Sequence, residues 1–222
     1  MKFVTASLII LAGLSLAYAQ GNEQAPIVEK EIAYKDWTYK SLRGDDELNL
    51  RKFTSGKRLV MVVYFAPWCP NWKHDAPFVQ AMYEKYRSNG FDVVAVGEYE
   101  PLRSMKDLVK GQKVTFPVVW ESDARTAKQT TLHYEYRKLA GDTRNWGSPW
   151  YIFLERDKLE PSGPVLVKSA SLVNGELIRS DAERFIREKL GLPAERSVGA
   201  AKASELEVCD PEKKSTNLVK PN

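Results

Sequence analysis

The stretch Phe65 to Pro77, FAPWCPNWKHDAP, holds one of the two cysteines of the chain. Cys69 follows Trp68 and precedes Pro70, and three positions on, where a C-x-x-C redox motif has its second cysteine, stands Trp72. A thiolate in such a motif attacks a disulfide and forms a mixed disulfide, which a second thiol resolves. Trp72 cannot resolve it. The residues alone allow a thiol that works with an outside partner, or a scaffold that has kept a binding surface and lost its chemistry.

The other cysteine, Cys209, lies in a polar C-terminal stretch. At about 3.3 Å per residue, the roughly 17 residues after the last expected helix reach about 56 Å, against a radius of gyration of about 15 Å for a domain of this size. Reach therefore permits a Cys69 to Cys209 bridge without demanding one. Neither cysteine has metal-ligand spacing with His74 or His133, so no metal and no cofactor are expected. His74 falls roughly 140° round a helix from Cys69, a poor position for a base, and reads as a solvated residue. His133 reads as locally packed or hydrogen-bonded.

Cys69 needs elements to hold it. LVMVVYF, Leu59 to Phe65, is the continuous apolar, β-branched run of a strand covered on both faces. From Pro70 the period becomes helical, with Val79, Met82, Tyr83 and Tyr86 on one face, Asn89-Gly90 as a stop, and Pro77 as a kink near the start. FDVVAVG and TFPVVW read as further strands, separated by a short helix over Leu102 to Val109 that ends at Gly111. A polar, helical stretch leads on to Gly141.

SPWYIFLE reads as another strand and VLVKSASLVNGEL as one or two more, with a turn at Asn174-Gly175. The final helix carries a capping box, Ser180 with Glu183, and an apolar face of Ala182, Phe185, Ile186 and Leu190. Near the N-terminus, DWTYKSLRGDDELNLRKFTSGK suggests a hairpin or edge strands. Strands alternating with helices make an α/β fold around a mixed sheet.

The ends have a different character. MKFVTASLIILAGLSLAYAQ places Lys2 before a short apolar run and the small-x-small pattern Ala17-Tyr18-Ala19, as in a signal peptide of residues 1–19. That run is shorter than the roughly 20 residues of a membrane span, so no integral membrane segment is expected after cleavage, and the protein is expected to be exported, periplasmic or extracellular. Residues 20–32 read as a linker, 33–192 as one domain and 193–222 as a polar tail. The 33 Lys and Arg against 29 Asp and Glu are mixed along the chain, without the basic block that would grip a nucleic acid. Arg125, Arg137 and Arg144 read as solvated charges, and Trp120, Trp146 and Trp150 as core or rim packing.

In order and in motif, residues 33 to 192 resemble the exported thioredoxin-like proteins of the TlpA/ResA type. The shared features are a buried strand, WCP at a helix start, the FPVV segment, GSPW before an aromatic strand, and a closing strand and helix. The resemblance implies a thioredoxin-like fold, a central mixed sheet flanked by helices, and thiol-disulfide chemistry at Cys69. There, a helix N-terminus favours thiolate over thiol. Pro70 fits the first helical turn. It further implies that Ser148-Pro149 is cis and lies against the cysteine, where an extended substrate strand pairs with the backbone beside it.

Two features depart from the family. Trp72 replaces the second cysteine, and Val63 stands where thioredoxin has a buried aspartate, so no carboxylate of LVMVVYF can relay a proton. Trp68, Pro70, Trp72, Ser148 and Pro149 are the expected substrate-binding residues, with Trp72 either a partner contact or a lid on the thiol. The leading expectation is an exported thiol oxidoreductase acting through Cys69, with Cys209 or an external thiol as resolver. Its partner is a thiol- or disulfide-containing protein or a small thiol. A redox-inactive binding module of the cell envelope and a single-cysteine peroxidase are the alternatives. Against the peroxidase, Ala66-Pro67-Trp68 lacks a threonine hydroxyl to orient peroxide.

Overall fold

LVMVVYF forms β5 (Leu59–Phe65), and all of its residues are buried, as a β-branched run covered on both faces requires. In the computed structural model, which describes residues 23–193, this strand lies inside an eight-stranded mixed sheet. Parallel to it runs β6 (Phe91–Gly97), with Val63 beside Ala95, and antiparallel runs β8 (Trp150–Glu155), with Val63 beside Tyr151. The sheet continues past β8 through β9 (Val165–Val173) and β2 (Val28–Lys35). Past β6 it continues through β7 (Val118–Trp120), β3 (Thr38–Ser41) and β4 (Glu47–Asn49).

Alternation along the strands splits the core in two. Met61, Val63 and Phe65 join Val93, Ala95, Tyr151 and Phe153 under α2 (Pro70–Tyr86), α3 (Leu102–Gln112) and α5 (Arg179–Lys189). Val62 and Tyr64 join Val94, Val96, Trp150 and Ile152 under α1 (Leu50–Thr54) and α4 (Leu132–Leu139). Among the described residues, no helix is long and apolar enough to cross a membrane.

The expected linker is partly built into the fold. Residues 24–25 form β1 (Gln24–Ala25), and β2 begins at Val28 and pairs with β9. Its first half carries the exposed charges Glu29, Lys30 and Glu31 because β2 is an edge strand, where backbone bonds supply the pairing and charge guards the free edge. Likewise, Asn174-Gly175 does not close a hairpin with β9: β10 (Glu176–Leu177) leaves that strand and pairs in parallel with β1.

At α5 the capping box is absent. Ile178 is the N-cap residue, and Glu183 instead accepts from Lys85 Nζ and the Tyr86 hydroxyl, both at 2.6 Å, across the gap to α2. α3 runs through Gly111 to Gln112, and α2 continues through Pro77 to Tyr86. The short α1, capped by Asn49 accepting from Lys52 N at 3.0 Å, has too few residues to show a period.

Two arrangements prepare the region around Cys69. Trp72 is 1% exposed and packs on Phe65 with ring centroids 5.2 Å apart. Arg137, read from sequence as solvated, is also buried: its Nε donates to Asp142 Oδ2 at 3.0 Å, and its Nη2 donates to the Arg144 carbonyl. Gly147 lies against this guanidinium at φ +58°, where a Cβ would come within 1.6 Å of Arg137 Nε, so only glycine fits. The segment leading to Ser148 is thus moulded on a buried ion pair.

Trp72→Ala is expected to cost about 3–5 kcal/mol of stability through the cavity it leaves. Urea unfolding followed by circular dichroism checks this, and a loss under about 1 kcal/mol, the range of a surface site, would contradict the packing described. For Asp142, burial raises the pKa, but hydrogen bonds from Arg144 and Arg137 outweigh it and hold the carboxyl below its ordinary 3.8. Its stabilising contribution is therefore full above pH 3.8 and is lost as the pH falls below that value, through the depressed folded one. Asp142→Asn is expected to cost about 3–5 kcal/mol at pH 7, since it leaves Arg137 buried without a counter-charge. The gap to the parent protein should narrow when the unfolding series is repeated at pH 3.

Candidate active site

β5 ends at Phe65 and the chain turns at once, Cys69 N donating to the Ala66 carbonyl at 3.0 Å. Cys69 is the N-cap residue of α2, with φ −70° and ψ 119°, and Pro70 takes the first helical position, where a missing N–H removes no intrahelical bond. The thiol does not cap the helix. Its Sγ donates instead to the Ser148 carbonyl at 3.1 Å.

Ser148 makes a second bond across the same gap, its Oγ accepting from Ala66 N at 2.9 Å. The Ser148-Pro149 peptide is cis. Arg144 steadies the loop by donating to the Pro149 carbonyl at 3.0 Å and, more distantly, to the Ser148 carbonyl at 3.5 Å. Cys69, only 3% exposed, thus lies at the floor of a cleft of about 260 Å³ lined by Glu23, Trp68, Pro70, Asn71, Arg144, Asn145, Trp146, Gly147 and Ser148.

Trp68 and Trp146 meet edge to face at 5.6 Å and form one wall. Lys128 Nζ sits 4.5 Å from the Trp146 ring, and the Arg125 guanidinium lies 5.7 Å from Trp68. Arg125 is exposed and paired with Glu100, in keeping with the sequence reading. Arg144 is not solvated in that sense, since it binds Asp142 and the Ser148 loop. Trp146 and Trp120 are partly buried and Trp150 is fully buried.

Of the expected site residues, the structure brings Cys69, Trp68, Pro70 and Ser148 to one cleft, with Pro149 beside them. Trp72 is not among them. It faces the core against Phe65, so it offers no surface to a partner. Helical geometry explains this: Trp72 continues the inward stripe of Asp75, Ala76, Val79, Met82 and Tyr86. Cys209 lies outside the described residues.

That stripe also holds a carboxylate that the sequence reading missed. Asp75, fully buried, accepts from the Tyr151 hydroxyl at 2.7 Å and from Leu177 N at 2.9 Å, both through Oδ2. Burial raises its pKa. Tyr151 is pushed well above its ordinary value, first by burial and then by Asp75, and Cys69 is near enough to add to the effect. A buried carboxylate is thus present on the side of the sheet where Cys69 and Tyr151 pack, supplied by α2 rather than by β5. The signal was an aspartate at a core position of an amphipathic helix.

The histidines stand apart from the thiol. His74 is exposed on α2, with Nδ1 3.3 Å from Glu176 Oε2. His133 is buried on the other face of the sheet, its Nδ1 2.8 Å from the Tyr99 hydroxyl and its ring stacked on Tyr64 at 4.9 Å. Burial holds its pKa well below the ordinary value, so it is neutral.

Comparison with known proteins follows the same outline. The chain is 29% identical over 79 residues to the thiol-disulfide oxidoreductase ResA of Bacillus subtilis, a match covering 32% of this chain and 44% of that protein. With sporulation thiol-disulfide oxidoreductase A of the same organism it is 28% identical over 125 residues, 54% of this chain and 72% of the relative. Among solved structures, a thioredoxin family thiol:disulfide interchange protein from Chlorobium tepidum superimposes with a TM-score of 0.51 at 21% identity, covering 73% of this chain and 98% of the other. A secreted thiol-disulfide isomerase from Corynebacterium glutamicum gives 0.53 at 15% identity, over 71% and 85%. These likenesses make the fold thioredoxin-like. The AhpC/TSA family model matches residues 31–143, a span that runs from within β2 to just past α4 and includes β5, Cys69 and α2, and the chain belongs to that family.

Proposed function

We propose that this protein is an exported thiol-disulfide exchange protein that works through one cysteine, Cys69. The observation that carries the reading is the bond from Cys69 Sγ to the carbonyl of Ser148, at 3.1 Å, in the loop whose Ser148-Pro149 bond is cis. It puts the sulfur at the end of a cleft and beside a backbone edge that an extended disulfide-bearing segment can follow. Trp68 and Trp146 supply the apolar wall against which such a segment packs.

The chemistry balances without a further base. The Cys69 sulfur attacks one sulfur of the substrate disulfide; the substrate S–S bond breaks, a Cys69–substrate S–S bond forms, and the released sulfur takes the thiol proton. A second thiol, from Cys209 or from an outside molecule, then attacks the mixed disulfide and returns Cys69 to its reduced state. The buried Trp72 has no part in this exchange. Protein or small-molecule disulfides are the substrate class, and the N-terminal 1–19 segment is the export signal.

The 3% exposure of Cys69 favours a second reading, a binding module in which the cleft holds a partner without exchange. The two readings separate on a single reagent set. On incubation with oxidised glutathione or a disulfide-bridged peptide, intact-mass analysis should show a covalent adduct that is absent from Cys69→Ser. That adduct should accumulate in Cys209→Ser if Cys209 is the resolver, and be unchanged if an outside thiol serves. No adduct, together with a partner that stays bound to Cys69→Ser and is lost from Trp68→Ala, would replace exchange by binding. Consumption of hydrogen peroxide that depends on Cys69, without disulfide exchange, would make it a single-cysteine peroxidase.

A further inference from the structure

We propose that His74, Asp75 and Glu176 form a zinc site at the junction of α2 and β10, separate from the Cys69 cleft. His74 Nδ1 stands 3.3 Å from Glu176 Oε2 and 3.9 Å from Asp75 Oδ1, and the three donor atoms all lie within 4.8 Å of one another. Donors bound at about 2.0–2.1 Å in a tetrahedron stand about 3.3 Å apart. One edge already has that length, and a small turn of the exposed His74 ring shortens the second.

The site also has a defined vacancy in its bonding. Asp75 is fully buried, yet its Oδ1 has no hydrogen-bond donor, while Oδ2 has two. A buried carboxylate oxygen without a donor or counter-charge is costly. The nearby cation gives it no hydrogen bond and acts on it only at a distance: Arg179 Nη2 binds His74 Nε2 and the His74 carbonyl, both at 3.1 Å. A metal ion between Nδ1, Oδ1 and Oε2 supplies the missing charge where the donors converge.

Ligand chemistry selects the ion. One imidazole and two carboxylates, with no sulfur, suit zinc with a fourth position left to water, and disfavour copper(I). The supports expected behind such ligands are in place. Tyr151 and Leu177 N fix Asp75, and Glu176 N donates to the Glu23 carbonyl at 3.0 Å, holding β10 to β1. Solvent reaches the site past His74, whose side chain is 57% exposed. Binding through Nδ1 leaves the imidazole proton on Nε2, so Arg179 gives up that bond and keeps the one to the carbonyl. Spacing along the sequence hides the set, because Glu176 comes from the opposite end of the domain from His74 and Asp75.

The test is zinc chloride titrated calorimetrically into the purified protein carrying Cys69→Ser and Cys209→Ser, which removes competing thiolates. Expected are one equivalent bound, a higher melting temperature in its presence, and intense visible bands when cobalt(II) replaces zinc. His74→Ala and Glu176→Gln should each weaken binding at least about tenfold, with melting temperatures in a chelator showing that both variants fold. Asp75 is left intact because it also anchors Tyr151 and Leu177. Failure to bind one equivalent of zinc, or affinity unchanged in either variant, would overturn the proposal.

Discussion

Everything at the candidate site depends on two hydrogen bonds that Ser148 makes across the end of β5. Its Oγ accepts from Ala66 N and its carbonyl accepts from Cys69 Sγ. Both reach from the loop before β8 to the turn after β5, and β5 and β8 are adjacent, antiparallel and buried. The register of those two strands, Tyr64 beside Trp150, therefore determines that Cys69 meets Ser148 and no other residue of the loop. A slip of one residue would turn every side chain of β5 to the wrong face and separate the pair.

Trp72 shows what the chain gained where the dithiol motif lost a cysteine. The position lies on the inward stripe of α2, so whatever stands there belongs to the core as well as to the motif. A cysteine is small, and a helix packed with one would sit differently on Phe65. The indole fills that space, and restoring the second thiol would open a void beneath the active loop. Redox capacity and packing compete for one position in this protein, and packing holds it. Under the proposed exchange, the consequence is directional: a mixed disulfide at Cys69 is resolved by a thiol from elsewhere.

Much of this could be read in the sequence, and the failures share a cause. LVMVVYF, the helix after Pro70 and the GSPW loop carry strong local signals, because β-branching, helical period and proline placement act over a few residues. The gathering of Cys69, Trp68, Pro70 and Ser148 at one cleft was legible for the same reason. Trp72 was misplaced because its neighbours drew attention to the motif, although its spacing to Ala76 and Val79 marks a core position. Arg137 and Glu183 were misread because their partners lie on other elements: Asp142 and Gly147 for the one, Lys85 and Tyr86 for the other. The charged beginning of β2 escaped notice because edge pairing is a property of the backbone, which composition does not record.

Three buried carboxyl groups rank by how completely their charge is compensated. Asp142 receives two guanidinium groups and is held below its ordinary value despite burial. Asp75 receives a tyrosine hydroxyl and one backbone N–H, too little to offset burial, and its pKa rises. Glu98, just after β6, has no hydrogen-bond donor on either oxygen; burial, with Glu121 adding to it, pushes its pKa well above the ordinary value. The signs of linkage then oppose one another. Asp142 contributes stability that vanishes on acidification, whereas a raised group such as Glu98 contributes stability that is full below its unfolded value and lost as the pH climbs through the folded one. The two opposed contributions lie on one face of the sheet, since Glu98 follows Val94 and Val96 in alternation and Asp142 binds Arg137 of α4 above them. The Ser148 loop is tied to Asp142 through Arg144, so it shares in what Asp142 loses on acidification.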